Sequence, residues 1–160
     1  MASIKSLTKG LDRDQIFFLA RELAFKKERK QAKLLCNYVL NDLPNYGDVR
    51  TLKGRILAWE GDYKIAEKEL LEVINRTPFY SDSYLALMDV YWWSGQNKKG
   101  VAIGKKALGN QIDDSELGFK LAQAYGRMNN KINAKKTIDS LLIIHPSNKE
   151  YSNFKKSLKK

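Results

Sequence analysis

The sequence predicts an all-α chain, a row of helical hairpins stacked side by side, and three observations carry that prediction. Pro44, Pro78 and Pro146 lie 34 and then 68 residues apart, so one period of 34 accommodates all three, with Ile112 of "GNQIDDSE" where a fourth would fall. Small residues follow the same period: Ala32, Ala66 and Ala134, with Gly100 in the remaining place. Gly61 and Gly95 share a third position, each just after a run of helical apolar spacing.

Cutting the chain on that period gives blocks 13–46, 47–80, 81–114 and 115–148, each expected to be a helix, a tight turn and a second helix. The turns are "KKERKQA", "EGDYKIA", "SGQNKKG" and "NNKINA". Gly61 and Gly95 suit the residue after a helix, where the backbone turns to positive φ. The small column lets paired helices approach to roughly 8–10 Å. Residues 1–12 read as a loose lead-in. In 149–160, Tyr151, Phe154 and Leu158 are spaced by three and four with lysines opposite, the pattern of a capping helix on the last hairpin.

The length suffices for one domain with a sizeable core. No apolar run approaches the roughly 20 residues of a membrane-spanning helix, and "MASIKSLTKGLDRDQ" holds no apolar segment of signal-peptide length. The formal charge of +11 favours anionic partners, although a lysine-rich solvated surface gives the same balance. Cys36 is the sole cysteine, which excludes an internal disulfide and decides nothing about the redox compartment.

The block pattern resembles the tetratricopeptide repeat, whose signature is W-x2-L-G-x2-Y, then A-x3-F, then P. The third block offers Tyr84, Leu87, Met88 and Tyr91, and the fourth Leu121, Ala122, Tyr125, Ala134, Ile138 and Pro146. The first has Ile16, Leu19, Ala20, Leu23, Ala32, Cys36 and Pro44. The second departs, with Arg50 and Lys53 in two apolar slots and a stripe shifted to Val49, Leu52 and Ile56. This resemblance implies a right-handed superhelix of four repeats and a concave groove lined by the first helix of each.

Two columns are then expected in that groove. One holds Phe25, Trp59, Trp93 and Arg127; the other, a turn earlier, holds Arg21, Arg55, Asp89 and Gln123. Large rings anchor partners and guanidinium pairs with carboxylates, so these eight are the candidate partner-binding residues. The alternative is that the rings only pack on the next repeat, and Trp92 is assigned to such packing. A third column, Asp14, Asp48, Asp82 and Glu116, has the tempting look of a carboxylate array, but acids at helix starts cap free N–H groups and meet the macrodipole, and that role is expected of them.

The positions that clamp a peptide carboxylate in some tetratricopeptide domains hold Phe17, Phe18, Thr51, Leu52, Leu85 and Ala86, so that clamp is absent. "GVAIGKK" fails as a phosphate loop, because its glycines are three apart and no Ser or Thr follows the lysine. His145 precedes Pro146 in a turn and Cys36 falls in a core slot; no nucleophile–base pair and no metal-ligand cluster emerges. The expectation is a chain that is not an enzyme and needs no cofactor.

Blocks two and three carry three further groups: Pro44, Tyr46, Asp48, Val49 and Arg50; Gly54, Arg55, Ala58, Trp59, Gly61 and Tyr63; and Ala86, Leu87, Asp89, Val90, Trp93, Ser94 and Gly95. Together these elements resemble the repeat region that precedes the outer-membrane β-barrel of YaiO-type proteins. The resemblance implies a domain on the periplasmic side of the outer membrane, and similar repeat–barrel arrangements serve exopolysaccharide export as scaffolds. The function expected is therefore a scaffold gripping a protein or peptide segment in its groove. The competing expectation is direct electrostatic binding of an anionic polymer, an acidic polysaccharide before nucleic acid, for which no recognised module is present.

Overall fold

The first helices of the four hairpins begin at Arg13, Gly47, Ser81 and Ser115, spaced by the period of the prolines. The computed structural model describes residues 3–159, which fall into two compact units that divide between Thr77 and Pro78. Among the described residues every regular element is an α-helix.

The first unit contains α1 (Ile4–Thr8), α2 (Arg13–Phe25), α3 (Arg29–Asp42), α4 (Gly47–Trp59) and α5 (Tyr63–Arg76). Asp12 opens α2 with a capping box, its carboxylate accepting from Gln15 N at 2.8 Å while the Gln15 side chain accepts from Asp12 N at 2.9 Å. The core joins Ile16 and Ala20 of α2, Leu35, Cys36 and Val39 of α3, and Val49, Leu52 and Ile56 of α4, so the shifted stripe of the second block is the face that packs. The lead-in is more than a tail: Ser3 caps α1, and Leu7 and Leu11 lie against this core. Apolar residues too few to register as a helical stripe still find a surface to cover.

Arg50 and Lys53 occupy slots that are apolar elsewhere, and the structure supplies a counter-charge. Glu69 of α5 accepts from Arg50 at 2.6 Å and from Lys53 at 2.9 Å, and a second nitrogen of Arg50 donates to the Pro44 carbonyl at 2.7 Å.

The second unit contains α6 (Ser81–Trp93), α7 (Asn97–Gly109), α8 (Ser115–Arg127), α9 (Lys131–Ile144) and α10 (Lys149–Ser157). Tyr84 is fully buried, and its hydroxyl donates to the Pro78 carbonyl at 2.9 Å while accepting from Asn110 Nδ2 at 2.8 Å. Burial of a phenol demands such partners. Asn148 caps α10, whose Tyr151 and Phe154 rings stand 4.9 and 5.6 Å from Phe119, with Leu158 in the same cluster.

The residue two places after the first helix of each hairpin has positive φ: Lys27 (66°), Gly61 (86°), Gly95 (71°) and Asn129 (56°). The turn geometry thus recurs in all four places, while glycine marks it in only two; asparagine tolerates this region and Lys27 bears its strain.

The acid column meets the positional half of the expectation. Asp14, Asp48, Asp82 and Glu116 sit in the first helical turn, where the macrodipole favours them, but the side-chain caps come from the residues before the helix, Asp12 and Asp114. The other two such helices follow Tyr46 and Tyr80, which make no side-chain cap. Asp14 instead accepts a hydrogen bond from the Tyr46 hydroxyl, which pushes the pKa of that phenol up to about 12.

Candidate partner-binding surfaces

In the first unit, three candidate residues and Arg29 converge at the ends of α2 and α4. Phe25, the last residue of α2, is 65% exposed, and its ring lies 5.9 Å from that of Trp59, the last residue of α4. Arg21, one turn back, places its guanidinium 5.9 Å from the Phe25 ring. Arg29, which sequence reasoning did not select, completes the group: its guanidinium lies 5.9 Å from the Trp59 ring and donates to the Trp59 carbonyl at 2.9 Å. Trp59 is half-buried, with its ring against the core cluster, so it is both packing and surface. Arg55 is half-buried one turn before it.

Along α2 runs an open groove of about 810 Å³, lined by Leu11, Phe18, Leu19 and Phe25 with Arg21 and Lys26 among its polar groups. Phe18 is 59% exposed there. By contrast, the apolar stripe of α4, formed by Val49, Leu52 and Ile56, is buried in the core.

In the second unit, Trp93 is 41% exposed at the end of α6. Asp89 is held by Lys120 of α8 at 2.5 Å. Gln123 and Arg127 are one turn apart on α8 and line a single open cavity of about 430 Å³. The Arg127 Nε donates to Asn97 Oδ1 at 2.9 Å, and its guanidinium rests 4.9 Å from the Trp92 ring. Burial lowers the Arg127 pKa, while the Asp89 charge opposes that shift. Trp92 therefore makes the intramolecular contact expected of it, but it is also 47% exposed and lines the same cavity.

One pair of reactive types does come together. Ser115 Oγ lies 2.9 Å from His145 Nε2, and the Tyr151 ring stands 6.2 Å from the imidazole. Nucleophilic catalysis needs a third group to orient the base and donors for an oxyanion; the contact joins the first residue of α8 to the residue after α9 and reads as a tie between helix ends. Cys36 is fully buried, and burial pushes the pKa of its thiol up to about 12, against a smaller opposing effect of the Lys53 charge. That is an inert thiol.

No protein-family model matches the sequence, and no curated protein matches it either. Solved structures do. A thermophilic TPR protein of Thermus thermophilus aligns over 96% of this chain and 85% of its own, with TM-score 0.76 and 20% identity. PilF of Pseudomonas aeruginosa aligns over 91% of this chain and 67% of its own, with TM-score 0.81 and 14% identity. MamA of Desulfovibrio magneticus RS-1 aligns over 86% and 78%, with TM-score 0.72 and 21% identity. At these identities the likeness is one of fold: the chain has the all-α helical-hairpin fold of tetratricopeptide repeat proteins.

Proposed function

We propose that this chain is a non-enzymatic scaffold that grips a protein or peptide segment on its first-of-pair helices, read as four repeats over 13–148 with a cap over 149–160. The observation that supports it is the Arg21–Phe25–Trp59 group, where a large ring stays 65% exposed while a neighbouring indole and guanidinium hold its surroundings in place. Aromatic residues and arginine are enriched at the cores of protein interfaces. Arg55, Asp89, Trp93, Gln123 and Arg127 extend the same role. Placement beside an outer-membrane barrel rests on the sequence likeness to YaiO-type proteins, and the reading frame beyond both ends tests it.

A displayed random-peptide library panned on the purified protein tests the binding role. Selected peptides should lose at least tenfold in affinity on Phe25→Ala or Trp93→Ala, both exposed rings, with helix content unchanged. Selection of no peptide, or of peptides indifferent to these substitutions, rejects the reading.

The second reading, capture of an acidic polysaccharide, draws on the +11 charge and on exposed lysines such as Lys98, Lys99, Lys105 and Lys106. Alginate and heparin titrated at two ionic strengths separate it, because charge-driven binding falls steeply with salt. Absence of binding at low salt eliminates it.

A further inference from the structure

The cavity between α8 and α10 is lined by both apolar and cationic side chains. Its apolar lining is Trp92, Phe154 and Leu158. The polar lining is Gln123, Arg127, Lys131 and Ser157, two cations and two neutral groups, and none of the lining residues bears a carboxylate. Gly126 lets α10 come close, since a Cβ there would stand 3.3 Å from Phe154 and 3.7 Å from Leu158.

The electrostatics favour one sign of ligand. Asp89, whose charge acts on Arg127, is itself held by Lys120 at 2.5 Å. On α10, Lys155 is paired with Asp139 at 2.6 Å. Arg127 and Lys131 are the cations that line the cavity itself. The guanidinium is also set in place beforehand: Asn97 fixes Nε and the Trp92 face supports the plane. That hydrogen bond uses one of five N–H donors, and a fixed guanidinium loses little entropy on meeting an oxyanion. In a partly buried site such a charge-assisted pair is stronger than one in open water.

We propose that this cavity binds a carboxylate attached to a large apolar group, with Arg127 and Lys131 on the oxygens and Trp92, Phe154 and Leu158 on the apolar part. In a polypeptide this is an acidic residue beside an aromatic or leucine side chain, or a terminal carboxylate on such a residue. The inference rests on the scaffold reading and names the partner chemistry for one part of that surface.

The probes are N-acetylphenylalanine, its amide, and an amidated tetrapeptide carrying an internal Glu-Phe pair, each titrated into the whole chain and followed by amide NMR shifts. The acid should move resonances of Gln123, Arg127 and Phe154, and the amide should bind at least tenfold more weakly. Lys131→Gln and Arg127→Gln should each weaken the acid about tenfold. Lys131→Gln at the exposed start of α9 preserves the fold and keeps the comparison clean. Binding of the Glu-Phe peptide assigns the side-chain source, and its failure beside a binding acid assigns the terminal source; either supports the site. Equal binding of acid and amide, or shifts confined to α2, overturns it. Should library-selected peptides engage Phe25 while these probes leave α8 untouched, this proposal fails and the scaffold reading survives. Should the probes bind while no library peptide does, the scaffold reading fails instead.

Discussion

Arg29 donates to the main-chain carbonyl of Trp59 at 2.9 Å while its guanidinium lies 5.9 Å from the same residue's indole. One cation at the start of α3 thereby satisfies a carbonyl at the C-terminal end of α4 and supports the ring of the same residue. A helix end with free carbonyls attracts cations, and the ring face adds to that attraction.

Arg29→Ala should therefore loosen Trp59 before it loosens the fold. A hydrogen bond from a charged donor contributes about 1.5–3 kcal/mol, and partial exposure here sets the expected loss near the lower figure. Indole fluorescence of a variant retaining only Trp59 should shift to the red and become more open to acrylamide. An unchanged spectrum would show that the core alone holds the ring. The same contact means that Trp59→Ala disturbs stability as well as any binding, so Phe25 and Trp93 are the better tests of the proposed binding.

Glu69→Gln should cost about 1–2 kcal/mol, because it leaves Arg50 and Lys53 partly buried without their shared counter-charge. Adding Arg50→Leu and Lys53→Leu to Glu69→Gln should recover most of the loss, since an apolar slot needs no carboxylate. Chemical denaturation of the parent, the single variant and the triple variant measures both steps. A triple variant no more stable than Glu69→Gln would mean that the cations contribute by packing their stems.

Two glycines separate cleanly. At Gly100 a new Cβ would meet Tyr91 Cβ at 3.7 Å and Ala124 Cβ at 3.9 Å, ordinary contacts, and alanine is what the corresponding positions carry. Gly100→Ala should stabilise by about 0.5–1 kcal/mol, the helical gain from removing backbone freedom. At Gly54 the Cβ would fall 2.7 Å from Leu70 Cγ, so Gly54→Ala should destabilise the protein despite the same gain. Thermal melts of the pair decide it; shifts of the same sign would contradict the packing described.

Cys36 predicts a pH dependence. Burial raises its pKa from the usual 9.0 to about 12, so the thiolate prefers the unfolded chain. Its contribution is whole below pH 9 and is lost as pH climbs from there towards 12. Urea midpoints should fall over that range, and Cys36→Ala should flatten the fall. Tyr46, whose pKa is pushed up to about 12 chiefly by Asp14, acts in the same direction and keeps part of the slope. At pH 8 the native thiol should resist a disulfide reagent that labels it fully in urea; equal labelling would refute the burial.

The helices and their turns were legible because both depend on neighbours in sequence. Apolar spacing of three and four placed α10, and the small column at Ala32, Ala66 and Ala134 proved fully buried. Even here glycine told half the story: Lys27 and Asn129 adopt the same left-handed turn without the residue that advertises it. The acid column was legible as first-turn acids in all four helices, while the side-chain caps of α2 and α8 come from Asp12 and Asp114, outside that column.

What the sequence determined by itself, then, is a 34-residue period and the all-α hairpin fold, since backbone hydrogen bonding and apolar stripes act over one or two turns. What only the tertiary structure decided is which polar groups meet. Arg29 with Trp59, Asn97 with Arg127, Asp89 with Lys120 and Ser115 with His145 each join residues 30 or 31 positions apart. Such pairs depend on side-chain directions across neighbouring helices, which no count of residue spacing contains. They determine where a guanidinium is held still and a ring stays exposed, and those choices set what the surface can bind.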